Sequence, residues 1–226
     1  VFADADIDAA VMTTVFTALA GMSGQGCVLP TRLLVEDSIY DQVEELTVAA
    51  AAALNVGRPF DPGVQAGPVI SEVSLDRILD LISSATQRGD GTLLTGGHRL
   101  EGDLSSGFFV RPTVFGNVDN ASPVARDEIF GPVISLIRFS DEADAIHVAN
   151  DSTYGLGGLV FTRDIARGHR VAAALEVGSV GINAFAPMPP SAPFGGVKHS
   201  GFGREGGLVG VREFVQDKNI YVDLST

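Results

Sequence analysis

One sulfur atom dominates the chemical inventory of this 226-residue chain. Cys27 is its single cysteine and closes the run Gly24-Gln-Gly-Cys27. A lone cysteine forms no internal disulfide and excludes a cysteine-rich zinc site. Two readings stay open: a small buried hydrophobe or a nucleophile. The glycines favour exposure, because they let the backbone turn and bring N–H groups toward the oxyanion formed when a thiolate attacks a carbonyl. A cysteine hydrolase would need a partner histidine. None of His98, His147, His169 and His199 stands out, and no two His or Cys fall at ligand spacing, so no metal site is expected. Glu128-Ile-Phe-Gly-Pro132 sets an acid and an aromatic two residues apart. If that stretch is extended, both side chains face one way, the acid toward sugar hydroxyls and the ring toward a flat partner. A turn with one exposed Glu and one buried Phe explains the pair as simply. Gly201-Phe-Gly-Arg-Glu-Gly206 matches G-x-G-x-x-G in form. It lacks the preceding strand and βαβ frame of a dinucleotide site, so it reads as a structural loop entering a helix.

These residues need a frame. Apolar residues make up 45% of the chain and charged ones 19%, enough to build a sizeable core. The formal net charge of −13 disfavours nucleic acid and anionic membrane surfaces as partners. No stretch approaches the ~20 apolar residues of a transmembrane helix, the start at Val1 has no signal-peptide form, and the cytoplasm is the expected compartment. Helices are expected from about Ala9 to Ala20, from Ser38 to Leu54, from Ser71 to Gln87, from Asp144 to Ala149 under a Ser140 cap, from Asp164 to Leu175 and from Leu208 to Val215. Strands are expected at 31–35, 92–95, 108–110, 133–137, 159–161 and 179–183, with a Pro/Gly loop over 186–203 and an edge strand over 219–224. Alternating strands and helices predict an α/β fold: an open, twisted, mostly parallel sheet covered by helices, with a C-terminal strand that pairs with another chain.

Five segments in order resemble the aldehyde dehydrogenase superfamily: Gly24–Cys27, Glu128–Pro132, Asn150-Asp-Ser-Thr-Tyr-Gly-Leu156, Gly178–Asn183 and Pro193–Glu205. The resemblance implies a catalytic domain over 1–215 and a C-terminal oligomerisation strand over 216–226, with the N-terminal cofactor-binding domain outside this chain. It implies NAD or NADP as cofactor, an aldehyde as substrate and a homodimer or homotetramer. Cys27 is implied as the thiolate that forms a thiohemiacetal and then a thioester. Glu128 is implied to hold the nicotinamide ribose and Phe130 to pack near the nicotinamide. Glu205 resembles an acid in a proton relay, Phe185 and Phe194 fall in regions that line the aldehyde tunnel, and Asn183 looks structural. Alternatives are a CoA-acylating dehydrogenase and a non-catalytic protein that keeps the fold.

Overall fold

The computed structural model describes residues 1–185 and 188–225. Ala186, Pro187 and Thr226, which belong to the expected loop 186–203 and arm 216–226, lie outside them. Asp6 accepts the Ala9 N–H at 3.0 Å and starts α1, Ile7–Val15. Beyond Val15 the helix loses its regularity. Phe16–Ala20 widens into a π-helical turn, and Gly21–Gly24 forms a 3-10 turn broken by left-handed Met22 (φ 48°) and Ser23 (φ 53°). Strand β1, Arg32–Glu36, leads through the turn Asp37–Ile39 into α2, Tyr40–Ala53. Ser71 caps α3, Glu72–Arg88, by accepting the Ser74 N–H, and Gly89 ends it in the left-handed conformation.

Then follow β2 Thr92–Thr95, β3 Thr113–Gly116, α4 Pro123–Arg126, β4 Val133–Phe139, α5 Glu142–Asn150, β5 Tyr154–Gly155 and β6 Gly157–Val160. The chain continues with α6 Ile165–Ala174, β7 Ser179–Ile182, β8 Val197–Lys198 and α7 Gly207–Arg212. The main sheet has the order β1-β4-β3-β2, with β1, β4 and β3 parallel and β2 antiparallel to β3. A second parallel pair joins β6 to β7, and β5 pairs antiparallel with β8. Val1 and Phe2 bond to both of the longer units: Glu36 N–H donates to Val1 O at 3.1 Å, and Phe2 N–H donates to Phe161 O at 3.0 Å.

Side-chain alternation along β4 explains the core. Ile134 and Leu136 point into a cluster with Val11, Val15 and Val43, while Val133 and Ile137 point into one with Leu75, Ile78 and Ile82. A strand covered on both faces reads as one apolar run, which is why 133–137 was legible. The segment Ile7–Gly24 departs from the expectation about apolar stretches. Its mean hydropathy of 1.3 over 18 residues is sufficient by length and composition to cross a membrane. Here half of it is buried, with Val11, Val15 and Leu19 in the core.

Three elements differ from expectation. Residues 108–110 form no strand, since Val110 makes only an isolated bridge with Arg99. The strand in that region is β3, whose four residues are all buried. Asp141, not Ser140, caps α5: its carboxylate accepts the Asp144 N–H at 2.9 Å, and Ser140 N–H and Oγ donate back to Asp144. Residues 219–224 form no strand. A strand needs a facing edge, and none of the described residues pairs with this segment, where Ile220, Tyr221, Val222 and Leu224 are exposed.

Candidate functional site

Cys27 is exposed. Its loop leaves the 3-10 turn through three successive left-handed residues, Met22, Ser23 and Gly24 (φ 73°). Left-handed geometry costs an ordinary residue about 1–2 kcal/mol, so surroundings must hold it. Two hydrogen bonds do so. Ser23 Oγ donates to Gly67 O at 2.9 Å, and Gln25 Oε1 accepts the Ile70 N–H at 2.9 Å. Among the described residues no group accepts the Cys27 N–H, which is therefore free to meet an oxyanion.

Glycine decides what lies opposite. A Cβ on Gly24 would overlap the Gly131 carbonyl and stand 2.5 Å from Pro132 N. The missing side chain thus lets the cysteine loop touch the 128–132 loop backbone to backbone. That second loop is clamped from behind. Arg77 of α3 donates to Glu128 O at 3.3 Å and to Ile129 O, and Gly131 lies so close to Ile78 that a Cβ there would sit 2.5 Å from its Cδ1. Ile129 is buried, whereas Glu128 is exposed and Phe130 half-buried. The stretch is not extended as expected, because Phe130 takes φ 50°. Even so, Glu128 and Phe130 border one cleft with Cys27, a space of about 270 Å³.

Arg32 and Arg126 border the same cleft but are engaged elsewhere. Arg32 donates to Asn120 Oδ1 at 2.6 Å and to the carbonyls of Val148 and Ala149. Burial, then the nearby Arg126 charge, pulls its pKa below the ordinary arginine value. Arg126 pairs with Asp151, whose pKa that hydrogen bond lowers.

The remaining expected residues separate. Phe185 lines a small apolar recess of about 40 Å³ with Val28, Pro30, Leu159, Val180 and Met188. Val28 and Pro30 also border the Cys27 cleft, so the two spaces share a wall. Phe194 and Glu205 line neither space. They pair with each other through backbone bonds of 2.7 and 2.8 Å. Asn183 is structural: it sits at φ 57°, accepts the Thr162 N–H and donates to Thr162 O. Gly206 of the G-x-G-x-x-G run precedes the six-residue helix α7 in a loop. Sequence reasoning missed Arg77 and Ser23. Arg77 is exposed on a helix, and neither position carries a pattern that links it to a distant loop.

The fold and the cleft together define an α/β domain in which one exposed thiol borders the same cleft as an exposed carboxylate and an aromatic ring. The sequence pattern of the aldehyde dehydrogenase family matches residues 1–220, and the chain belongs to that family. It is 40% identical over 226 residues to a betaine aldehyde dehydrogenase of Brucella ovis, covering 99% of this chain and 46% of the relative. Among solved structures it resembles a Mycobacterium tuberculosis aldehyde dehydrogenase in complex with NAD+. The TM-score is 0.93 with 43% identity, over 99% of this chain and 46% of the other. A Staphylococcus aureus betaine aldehyde dehydrogenase with NAD+ matches at TM-score 0.91 and 39% identity, over 94% and 42% of the two chains. The chain thus spans about half the length of the relatives it matches.

Proposed function

We propose that this chain is the thiol-bearing part of an NAD- or NADP-dependent enzyme that oxidises an aldehyde to a carboxylic acid. One observation carries the reading: Cys27 is exposed in the same cleft as Glu128 and Phe130, on two loops locked together where Gly24 meets Gly131. Those residues suit a dinucleotide. The Glu128 carboxylate is exposed and would accept from ribose hydroxyls, and the half-buried Phe130 ring would pack against the nicotinamide. Bound there, NAD or NADP supplies the acceptor for the hydride that leaves the substrate carbon.

The chain's own residues do the rest. The Cys27 thiolate attacks the carbonyl carbon; a C–S bond forms while the C=O π pair moves to oxygen. The free Cys27 N–H stabilises that oxyanion. Once the carbon is at the acid oxidation level the sulfur holds it as a thioester. Water then adds, the C–S bond breaks, the electron pair returns to sulfur, and the acid leaves. A base must take the proton of that water, and Glu205, paired to Phe194 away from the cleft, is at most a relay.

The relatives' name makes betaine aldehyde the first substrate to try, and the apolar recess behind Val28 offers room for an aliphatic group. The exposed arm 216–225 is assigned to contacts between subunits, and its removal should lower the sedimentation coefficient. In the full-length protein, iodoacetamide should label Cys27 and abolish turnover with either cofactor. Cys27→Ala should lose at least about 10³-fold in kcat. Wild-type turnover in that variant would refute the proposal, and product analysis with and without CoA separates hydrolysis from acylation.

A further inference from the structure

We propose that Ser23 is a positioning residue for Cys27, pegging the nucleophile loop to the segment that enters α3. The inference rests on the Cys27 reading and deepens it. Ser23 is 5% exposed, holds φ 53° and spends its hydroxyl on the Gly67 carbonyl. Conformation alone would favour glycine here, as at Gly24 next door. A serine that accepts left-handed strain in a buried place is explained by the bond it makes.

That bond closes a mechanical circuit. Gly67 lies four residues before Ser71, the cap of α3. The same helix carries Arg77, which grips the carbonyls of Glu128 and Ile129, and Ile78, which packs on Gly131. Gly131 in turn touches Gly24, the residue after Ser23. The Gln25–Ile70 bond runs parallel to the peg and braces the same two segments. Nucleophile loop, helix and carboxylate loop therefore hold one another in register. Without the Ser23 bond, Met22 and Ser23 lose the contact that offsets their strained conformation. The loop then samples right-handed geometry, and the sulfur leaves its place relative to Glu128. A displacement of about 1 Å at a reacting atom costs up to about 10²-fold in rate.

The test uses the full-length protein with saturating NAD and an aldehyde substrate. Ser23→Ala should lower kcat about tenfold while leaving both KM values within about twofold, because binding groups stay in place. Ser23→Asn, which keeps a donor and tolerates left-handed backbone, should restore at least a third of the lost kcat. A merely structural role would show no such split and no such rescue. If Ser23→Ala does not fold, Ser23→Gly removes the peg with no left-handed strain but leaves the loop untethered, and should lower kcat by a smaller factor, about threefold. Wild-type kcat in Ser23→Ala or Ser23→Gly overturns the proposal, as does an Asn variant no better than the Ala variant. Cys27→Ala is run in parallel: if active, it overturns the underlying reading and this proposal with it. If it is inactive beside a fully active Ser23→Ala, only the positioning role falls.

Discussion

Gly24 and Gly89 share a φ of +73°, yet only Gly24 has neighbours where a side chain would stand. That makes a matched pair of substitutions. Gly89→Ala ends α3 with a strained residue in open space and should cost only the left-handed penalty, about 1 kcal/mol. Gly24→Ala carries the same penalty and also drives a methyl group into the Gly131 carbonyl and toward Pro132 N, 2.5 Å away. Overpacking against such neighbours costs about 1–3 kcal/mol, so the total is about 2–4 kcal/mol. With a urea slope on the order of 2 kcal/mol/M, the midpoint of the 226-residue chain should fall by about 0.5 M for Gly89→Ala and about 1–2 M for Gly24→Ala. Gly24→Ala should also lose turnover in the full-length protein, while Gly89→Ala keeps it. Equal midpoint shifts for the two would refute the claim that backbone contact between the loops depends on a missing Cβ.

Two further outcomes follow from the same contacts. Arg77→Met keeps the apolar stem but removes both bonds to the 128–129 carbonyls, so in the full-length protein the KM for NAD should rise about tenfold, with the aldehyde KM little changed. An unchanged NAD KM would break the link between α3 and the Glu128 loop. Asp90, buried at the end of α3, takes bonds from Arg88 and from Val124 N–H of α4, and the Arg88 bond, opposed by burial, holds its pKa below the usual carboxylate value. A depressed folded pKa stabilises above the unfolded value of about 3.9 and loses that contribution as pH falls through the folded one. Asp90→Asn should therefore cost about 2 kcal/mol at neutral pH. The gap in urea midpoint from wild type should begin to shrink below about pH 3.9 and close as pH falls through the lower folded pKa, and a gap that persists in stronger acid would contradict the assignment.

Much of this architecture was legible because local chemistry and tertiary demands agree. Ser71 and Gly89 bracket α3 as cap and stop, and Asp164 accepts the Ala166 and Arg167 N–H groups to start α6. β4 was readable from its apolar run. β3 was not: Thr113-Val-Phe-Gly116 is too short to show a period, and all four residues are buried. The arm at 219–224 alternates like a strand, but alternation states only a preference, and a ladder needs a second edge. In the site, the type and order of Cys27, Glu128 and Phe130 pointed to one cleft. Phe194 and Glu205 do not border it; their backbones bridge to each other. What Ser23 and Arg77 contact was not legible in the sequence, since each acts through a carbonyl of a distant loop and carbonyls carry no side-chain signature.

The contacts described around the thiol lie within this chain, and that separates two properties often treated as one. Ser23 to Gly67, Gln25 to Ile70, Gly24 to Gly131 and Arg77 to Glu128 and Ile129 form a closed set, each member supported by main-sheet or α3 packing. Presentation of Cys27 is therefore predicted to be a property of these residues, whatever else the full-length protein contributes. Turnover needs more, a base for the attacking water and a cradle for the cofactor phosphates, and the two arginines that border the cleft, Arg32 and Arg126, are already engaged by Asn120 and Asp151. It follows that alkylation of Cys27 in the isolated chain should match the rate in the full-length protein without cofactor, even where the isolated chain oxidises no aldehyde. A thiol that reacts far more slowly in the isolated chain would mean that the loop depends on contacts from beyond these residues, and the closed set would not be what holds it.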